Sequence, residues 1–146
     1  MATGAVVDPY RNYNFLVEID GIAQGSFMEC SGLDATTESI EYREGGDNVT
    51  VRKLPGKTSY GDITLKWGVN PSKDLWTWRK QVIQGNIQRK NGSVVVYDLA
   101  NSTEVARWNF VRGWPVKWEG PHFDAKGKDV AVETLTIAHE GIDRAT

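Results

Sequence analysis

The 146-residue sequence holds one cysteine and two histidines. A lone Cys30 forbids an internal disulfide and fits synthesis in a reducing compartment. A zinc site needs three or four Cys, His or carboxylate ligands, and His122, His139 and Cys30 supply too few nitrogen and sulfur donors, so no metal or other cofactor is expected. Charge of one sign is also scarce: 17 Lys and Arg stand against 19 Asp and Glu, a net charge of -2. No strong field therefore points to nucleic acid or an anionic membrane. No run approaches the roughly 20 apolar residues of a membrane-crossing helix. The opening MATGAVVDPYRN has no apolar signal core, and stable membrane insertion is not expected. Without a secretion signal, Asn48-Val49-Thr50, Asn91-Gly92-Ser93 and Asn101-Ser102-Thr103 carry no weight as glycosylation sites.

What is present is a globular composition, 40% hydrophobic and 25% charged. The length suits one domain over 1–146, with a core that needs no staples. The pattern is mostly β. Tyr13, Phe15, Val17 and Ile19 alternate with Asn12, Asn14, Leu16 and Glu18, and Asp20-Gly21 signals a hairpin whose returning strand would span 22–30. A third strand is expected over 36–43, with Glu38, Ile40 and Tyr42 on one face. Gly45-Gly46 then breaks the pattern, and a short strand or arm over 49–54 ends at Pro55-Gly56. Further strands are expected over 58–67, 93–99, 103–110, 114–119 and 129–139, with Trp114, Val116 and Trp118 on one side. One helix interrupts them over 72–84, with Ser72 as N-cap and Gly85 as stop. Leu75, Trp78 and Val82 would pack, and Trp76 and Ile83 widen that face. These elements make a mainly β domain of about eight strands, a barrel or sandwich with one flanking helix.

Candidate chemistry is thin. Gly56-Lys57-Thr58 ends like a nucleotide-binding P-loop, but Val51 stands where the first glycine belongs and a strand follows in place of a helix. Cys30 paired with His122 or His139 would be a nucleophile; the plainer reading is a small strand residue. Ser26 lacks the Gly-x-Ser-x-Gly elbow. Glu38, Glu41, Glu44 and Asp47 form a loose acidic set that suits a solvated face better than a glycosidase pair. Six tryptophans could stack sugars in a carbohydrate-binding β domain, but their strand and helix positions suit a core or a subunit interface.

The order of features resembles a known family. Asp8-Pro9-Tyr10-Arg11-Asn12-Tyr13-Asn14-Phe15-Leu16-Val17-Glu18-Ile19 comes first, then Gly25-Ser26-Phe27-Met28-Glu29-Cys30-Ser31-Gly32-Leu33 and Tyr42-Arg43-Glu44-Gly45-Gly46. Arg52-Lys53-Leu54-Pro55-Gly56-Lys57, Ile63-Thr64-Leu65-Lys66-Trp67-Gly68 and the helix with Leu75, Trp76 and Trp78 complete it. The set, over 8–141, resembles the inner-tube proteins of contractile phage tails and extracellular contractile injection systems. The resemblance implies a structural, non-catalytic subunit. Hexameric rings would stack into a hollow conduit for cargo or DNA inside a contractile sheath. It implies sheath, baseplate or tube-initiator, and tube-terminator proteins as partners, in a phage tail or an extracellular injection particle. Secreted hexameric ring proteins of type VI secretion, acting as carriers, share the fold and are the alternative. The segment 43–59 is then the expected contact arm between subunits or rings, with Arg43, Glu44, Asp47, Arg52, Lys53 and Lys57 as its contact residues. A solvated surface loop is the other reading of that segment.

Overall fold

The computed structural model describes residues 15–22, 27–43, 45–46, 50–98, 103–127 and 129–145. In chain order the elements are β1 (Phe15–Ile19), β2 (Glu29–Ser31), β3 (Ala35–Tyr42), β4 (Arg52–Tyr60), β5 (Ile63–Gly68), α1 (Asp74–Ile83), β6 (Lys90–Tyr97), β7 (Glu104–Glu119), β8 (Val132–Ala138) and β9 (Gly141–Arg144). One antiparallel sheet runs β1-β6-β7-β8-β5-β2, with β9 also paired to β7; β3 and β4 form a separate two-stranded sheet.

The 16-residue strand β7 organises the main sheet. Its first part pairs with β6 and β9, and its last part pairs with β8. Between them Arg112 takes φ +52°, a region that few non-glycine residues occupy. Asn91 Oδ1 accepts a hydrogen bond from the Arg112 amide at 3.0 Å, and the Arg112 guanidinium meets the Glu140 carboxylate across the bend. The sheet therefore folds over itself. Val17, Ile19, Val94 and Phe110 from one half meet Ile63, Leu65, Leu135 and Ile137 from the other. Alternation explains both sets: Ile63 pairs with Ile137 and Leu65 with Leu135, so all four side chains share the inward face. Among the described residues β1 and β2 end the path without pairing to each other. The mainly β expectation holds, and of barrel and sandwich the form is an open sandwich.

Several boundaries differ from the sequence reading. The Asp20-Gly21 turn forms, with the Ile22 amide donating to the Ile19 carbonyl at 3.1 Å, but among the described residues of 22–30 β1 meets only Ile22, in an isolated bridge from Ile19. Its partner is β6, and the later part of that segment supplies only the three-residue β2, on β5. The expected strands over 103–110 and 114–119 are one. Pro115 does not break β7 because a bulge follows at once: Pro115 opposes Ile137 and Lys117 opposes Thr136, so two steps match one. That bulge also overturns the expected common side for Trp114 and Trp118, which oppose Ala138 and Leu135 on opposite faces of β8. The N-cap of α1 is Lys73, without a side-chain cap, and Ser72 Oγ lies 3.5 Å from the Asp74 amide. Gly85, at φ +85°, follows the helix as expected.

Trp78 anchors α1. It is 2% exposed, and its indole N–H donates to the Gln88 carbonyl at 2.7 Å. Leu75 packs on the same core and Val82 is half-buried. The expected widening by Trp76 and Ile83 does not reach the core: Ile83 is exposed, and Trp76 lies against Trp118 at 4.8 Å. Arg79 donates to the Pro115 carbonyl at 3.1 Å, so the helix covers the β7 edge where the proline interrupts the ladder.

Candidate assembly interface

The segment expected as a loop arm over 43–59 is the far part of a longer hairpin built from β3 and β4. Gly56-Lys57-Thr58 lies inside β4, not in a loop before a strand, and Pro55 does not end that strand. The register moves from Thr37 opposite Thr58 to Ser39 opposite Pro55, which leaves one extra residue on β4. Proline is tolerated at such a bulge, and on a strand with a free edge. The Thr37 and Thr58 hydroxyls lie 2.9 Å apart across the ribbon.

The arm has a fixed root. The Gly61 amide donates to Asp34 Oδ1 at 2.7 Å, and a Cβ at Gly61 would fall 2.3 Å from that oxygen. Gly32, at φ +90°, lies so close to the Asp62 carbonyl that an added Cβ would sit 1.9 Å from its oxygen. Gly32, against backbone and at positive φ, admits only glycine, while a Cβ at Gly61 would displace the Asp34 carboxylate; together they set the direction in which the hairpin leaves the sandwich.

Beyond the root the arm has little support from its own chain. Every residue of β3 is exposed, and among the described residues β4 pairs with nothing but β3. On one face Ile40 opposes Leu54 and Tyr42 opposes Arg52; Ile40, Tyr42 and Leu54 are 49%, 48% and 48% exposed. The cations divide by strand. Arg52, Lys53 and Lys57 lie on β4, which has no carboxylate, while Glu38 and Glu41 lie on β3. Of the residues expected to make contacts, Arg43, Arg52, Lys53 and Lys57 are therefore exposed on the arm, and Glu44 and Asp47 lie outside the described residues. The apolar pair Ile40 and Leu54 was not among them. Its signal was the alternation of β3, which has meaning only once β4 is known to be its partner.

The candidate catalytic groups do not converge. Cys30 opposes Leu65 and packs on the core, whereas His122 lines a cleft on the outer face of the same sheet half. Burial, with Glu29 beside it, pushes the Cys30 thiol up to about 11. A rise from 9.0 to about 11 leaves about a hundredfold less thiolate at pH 8. Native protein is therefore expected to react with iodoacetamide far more slowly at pH 8 than the denatured chain; equal rates would contradict this environment. His139 sits between the rings of Tyr60 and Phe110, with Nδ1 at 3.1 Å from the Gly141 carbonyl. The tryptophans offer no flat platform: Trp67 and Trp78 are buried, and Trp76, the most exposed, reaches 38%. Among the described residues no cluster of His, Cys, Asp and Glu fits a metal ion.

Among the described residues the chain is thus an open sandwich from which a rooted two-stranded hairpin projects. Residues 11–143 match the family model described as T4-like virus tail tube protein gp19, and the chain belongs to that family. No curated protein matches it. Among solved structures, a chain of the anti-feeding prophage baseplate is similar at 26% identity and TM-score 0.86, over 95% of this chain and 97% of that one. A chain of the sheath-tube complex of the extracellular contractile injection system PVC matches at 29% identity and TM-score 0.84, over 93% and 90%. Hcp1 from Flavobacterium johnsoniae matches at 18% identity and TM-score 0.58, over 91% and 95%, a likeness of fold alone.

Proposed function

We propose that this chain is the structural subunit of the hollow inner tube of a contractile injection apparatus or phage tail. Six copies form a ring, and rings stack into a conduit for cargo or DNA inside a contractile sheath. The role involves no catalysis and no cofactor. The partners are further copies of the chain, the sheath protein, and the proteins that initiate and terminate the tube at the baseplate and the cap. The particle is assembled from subunits made in a bacterial cytoplasm and acts as a phage tail or outside the cell.

The observation that carries this reading, beside the family, is the β3–β4 arm. A lone two-stranded hairpin is marginal in water. Among the described residues both edges of this one are unpaired, and its apolar face is half-exposed. Such a ribbon gains order when a neighbouring subunit covers it, and free edges are what a polymer of identical chains can satisfy. The secreted ring protein of type VI secretion stays the second reading, supported by fold likeness at 18% identity against 26% and 29% for the injection-system chains.

Light scattering separates these readings from a monomeric binding domain. A ring is expected near six times the 16.3 kDa chain mass, with longer particles as concentration rises. A ring that never lengthens, even with a tube initiator present, supports the secreted carrier instead.

A further inference from the structure

The arm leaves the sandwich where β2 ends at Ser31 and β5 begins at Ile63. Two to three residues further along these strands, at Glu29 and Lys66, about 7–10 Å away at some 3.3 Å per residue, begins a cleft of about 580 Å³. Its floor is one cross-strand row in which Glu29 opposes Lys66, Lys66 opposes Thr134, and Thr134 opposes Glu119. The loop between β7 and β8 forms its wall with Asp124 and Asp129, and the exposed side chains of Met28 and Val130 line it too.

The cleft is acidic: Glu29, Glu119, Asp124 and Asp129 line it, against Lys66 and His122. Glu29 shares its charge with Lys66 at 3.6 Å and Glu119 with Lys117 at 2.9 Å. Asp124 Oδ1 accepts a hydrogen bond from the Lys126 amide at 3.0 Å. Asp129 is exposed and makes no ion pair among the described residues. Acidic groups beside exposed methionine and valine call for a ligand that is both basic and apolar. A ligand of that kind is carried on the arm: β4 bears Lys53 and Lys57, and Leu54 with its partner Ile40 forms an exposed apolar pair.

We propose that this cleft receives the β3–β4 arm of a second copy of the chain as a wedge, with Lys53 on one face of the ribbon, together with Lys57, toward its carboxylates and Ile40 and Leu54 on the other face covering Met28 and Val130. The contact rests on the tube reading and names the surface that the arm meets. Knob and socket are different surfaces of the chain, and in the proposed contact the copies meet head to tail, so it is heterologous. Each copy offers a cleft to one neighbour and an arm to the next, so the association propagates along a line of subunits. Complementary charge sets its register and salt sensitivity, and the apolar pair adds burial.

Charge exchange tests it, in the full chain produced with its baseplate initiator. Lys53→Glu with Lys57→Glu reverses the arm; Asp124→Lys with Asp129→Lys reverses the cleft, and Asp129→Lys alone spares the Asp124 turn. Each reversal is expected to cut the polymerised fraction at least about tenfold, and the two together to restore it to within about threefold of the unaltered chain, since coupled sites depart from additivity. Circular dichroism confirms the fold of each variant. Reversals that polymerise normally, or losses that add in the combined variant, overturn the contact while leaving the tube reading standing. An unaltered chain that forms neither rings nor tubes overturns the tube reading, and the contact with it.

Discussion

Replacing Trp78 with alanine is expected to lower unfolding stability by about 3–5 kcal/mol, a large share of the roughly 5–15 kcal/mol that a domain holds. Two losses combine. The indole is 2% exposed within the core cluster, so its removal leaves a cavity between α1 and the sandwich. It also removes the donor 2.7 Å from the Gln88 carbonyl, which secures the segment between α1 and β6. Trp78→Phe keeps much of the volume and loses only the N–H, so its cost should be smaller, with the lost hydrogen bond worth about 1 kcal/mol. Denaturant unfolding followed by fluorescence and circular dichroism measures both. A Trp78→Ala cost below about 1 kcal/mol, the usual range for surface changes, would contradict the anchoring role.

Replacing residues 47–57 with a short Gly-Ser linker is expected to act in the opposite way, leaving the fold and abolishing long tubes. The linker removes the far half of β4 with Lys53, Leu54 and Lys57, but no residue of the buried cluster. The root at Gly32, Asp34 and Gly61 stays intact. Circular dichroism should remain β-rich, and microscopy should find rings or short particles. Salt gives a parallel reading on the intact chain. Each exposed ion pair is worth only about 0–1 kcal/mol, but many copies engage at once. Tubes should shorten between 0.1 M and 1 M salt as the Debye length falls from about 10 Å to about 3 Å. Tubes of normal length from the linker variant would make the arm an ordinary surface ribbon.

The sequence carried the core more openly than the interface. Ile63, Leu65 and Trp67, and Leu135 and Ile137, alternate cleanly because one face of β5 and of β8 is buried along its length. The helix was equally legible, since Leu75 and Trp78 recur at helical spacing and Gly85 takes the left-handed backbone that stops it. Pairing was the hidden part. Asp20-Gly21 makes its turn, but nothing local says that β1 pairs with β6, more than 70 positions further on. Pro55 looked like a strand end because a missing N–H is costly inside a sheet, whereas Pro115 fell inside the expected strand 114–119. Both are accommodated next to bulges, and the Pro115 carbonyl is met by Arg79 from a different element. The four-residue β9 offers too little alternation to be seen. The arm was visible as a basic, glycine-broken stretch, while its start at Ala35 and its apolar pair of Ile40 and Leu54 depend on cross-strand register.

The most direct measurement is electron microscopy of the intact chain produced together with its sheath and baseplate partners. The account predicts hollow tubes with six-fold symmetry inside the sheath, built from rings of this chain. A protein that stays monomeric beside those partners would contradict it.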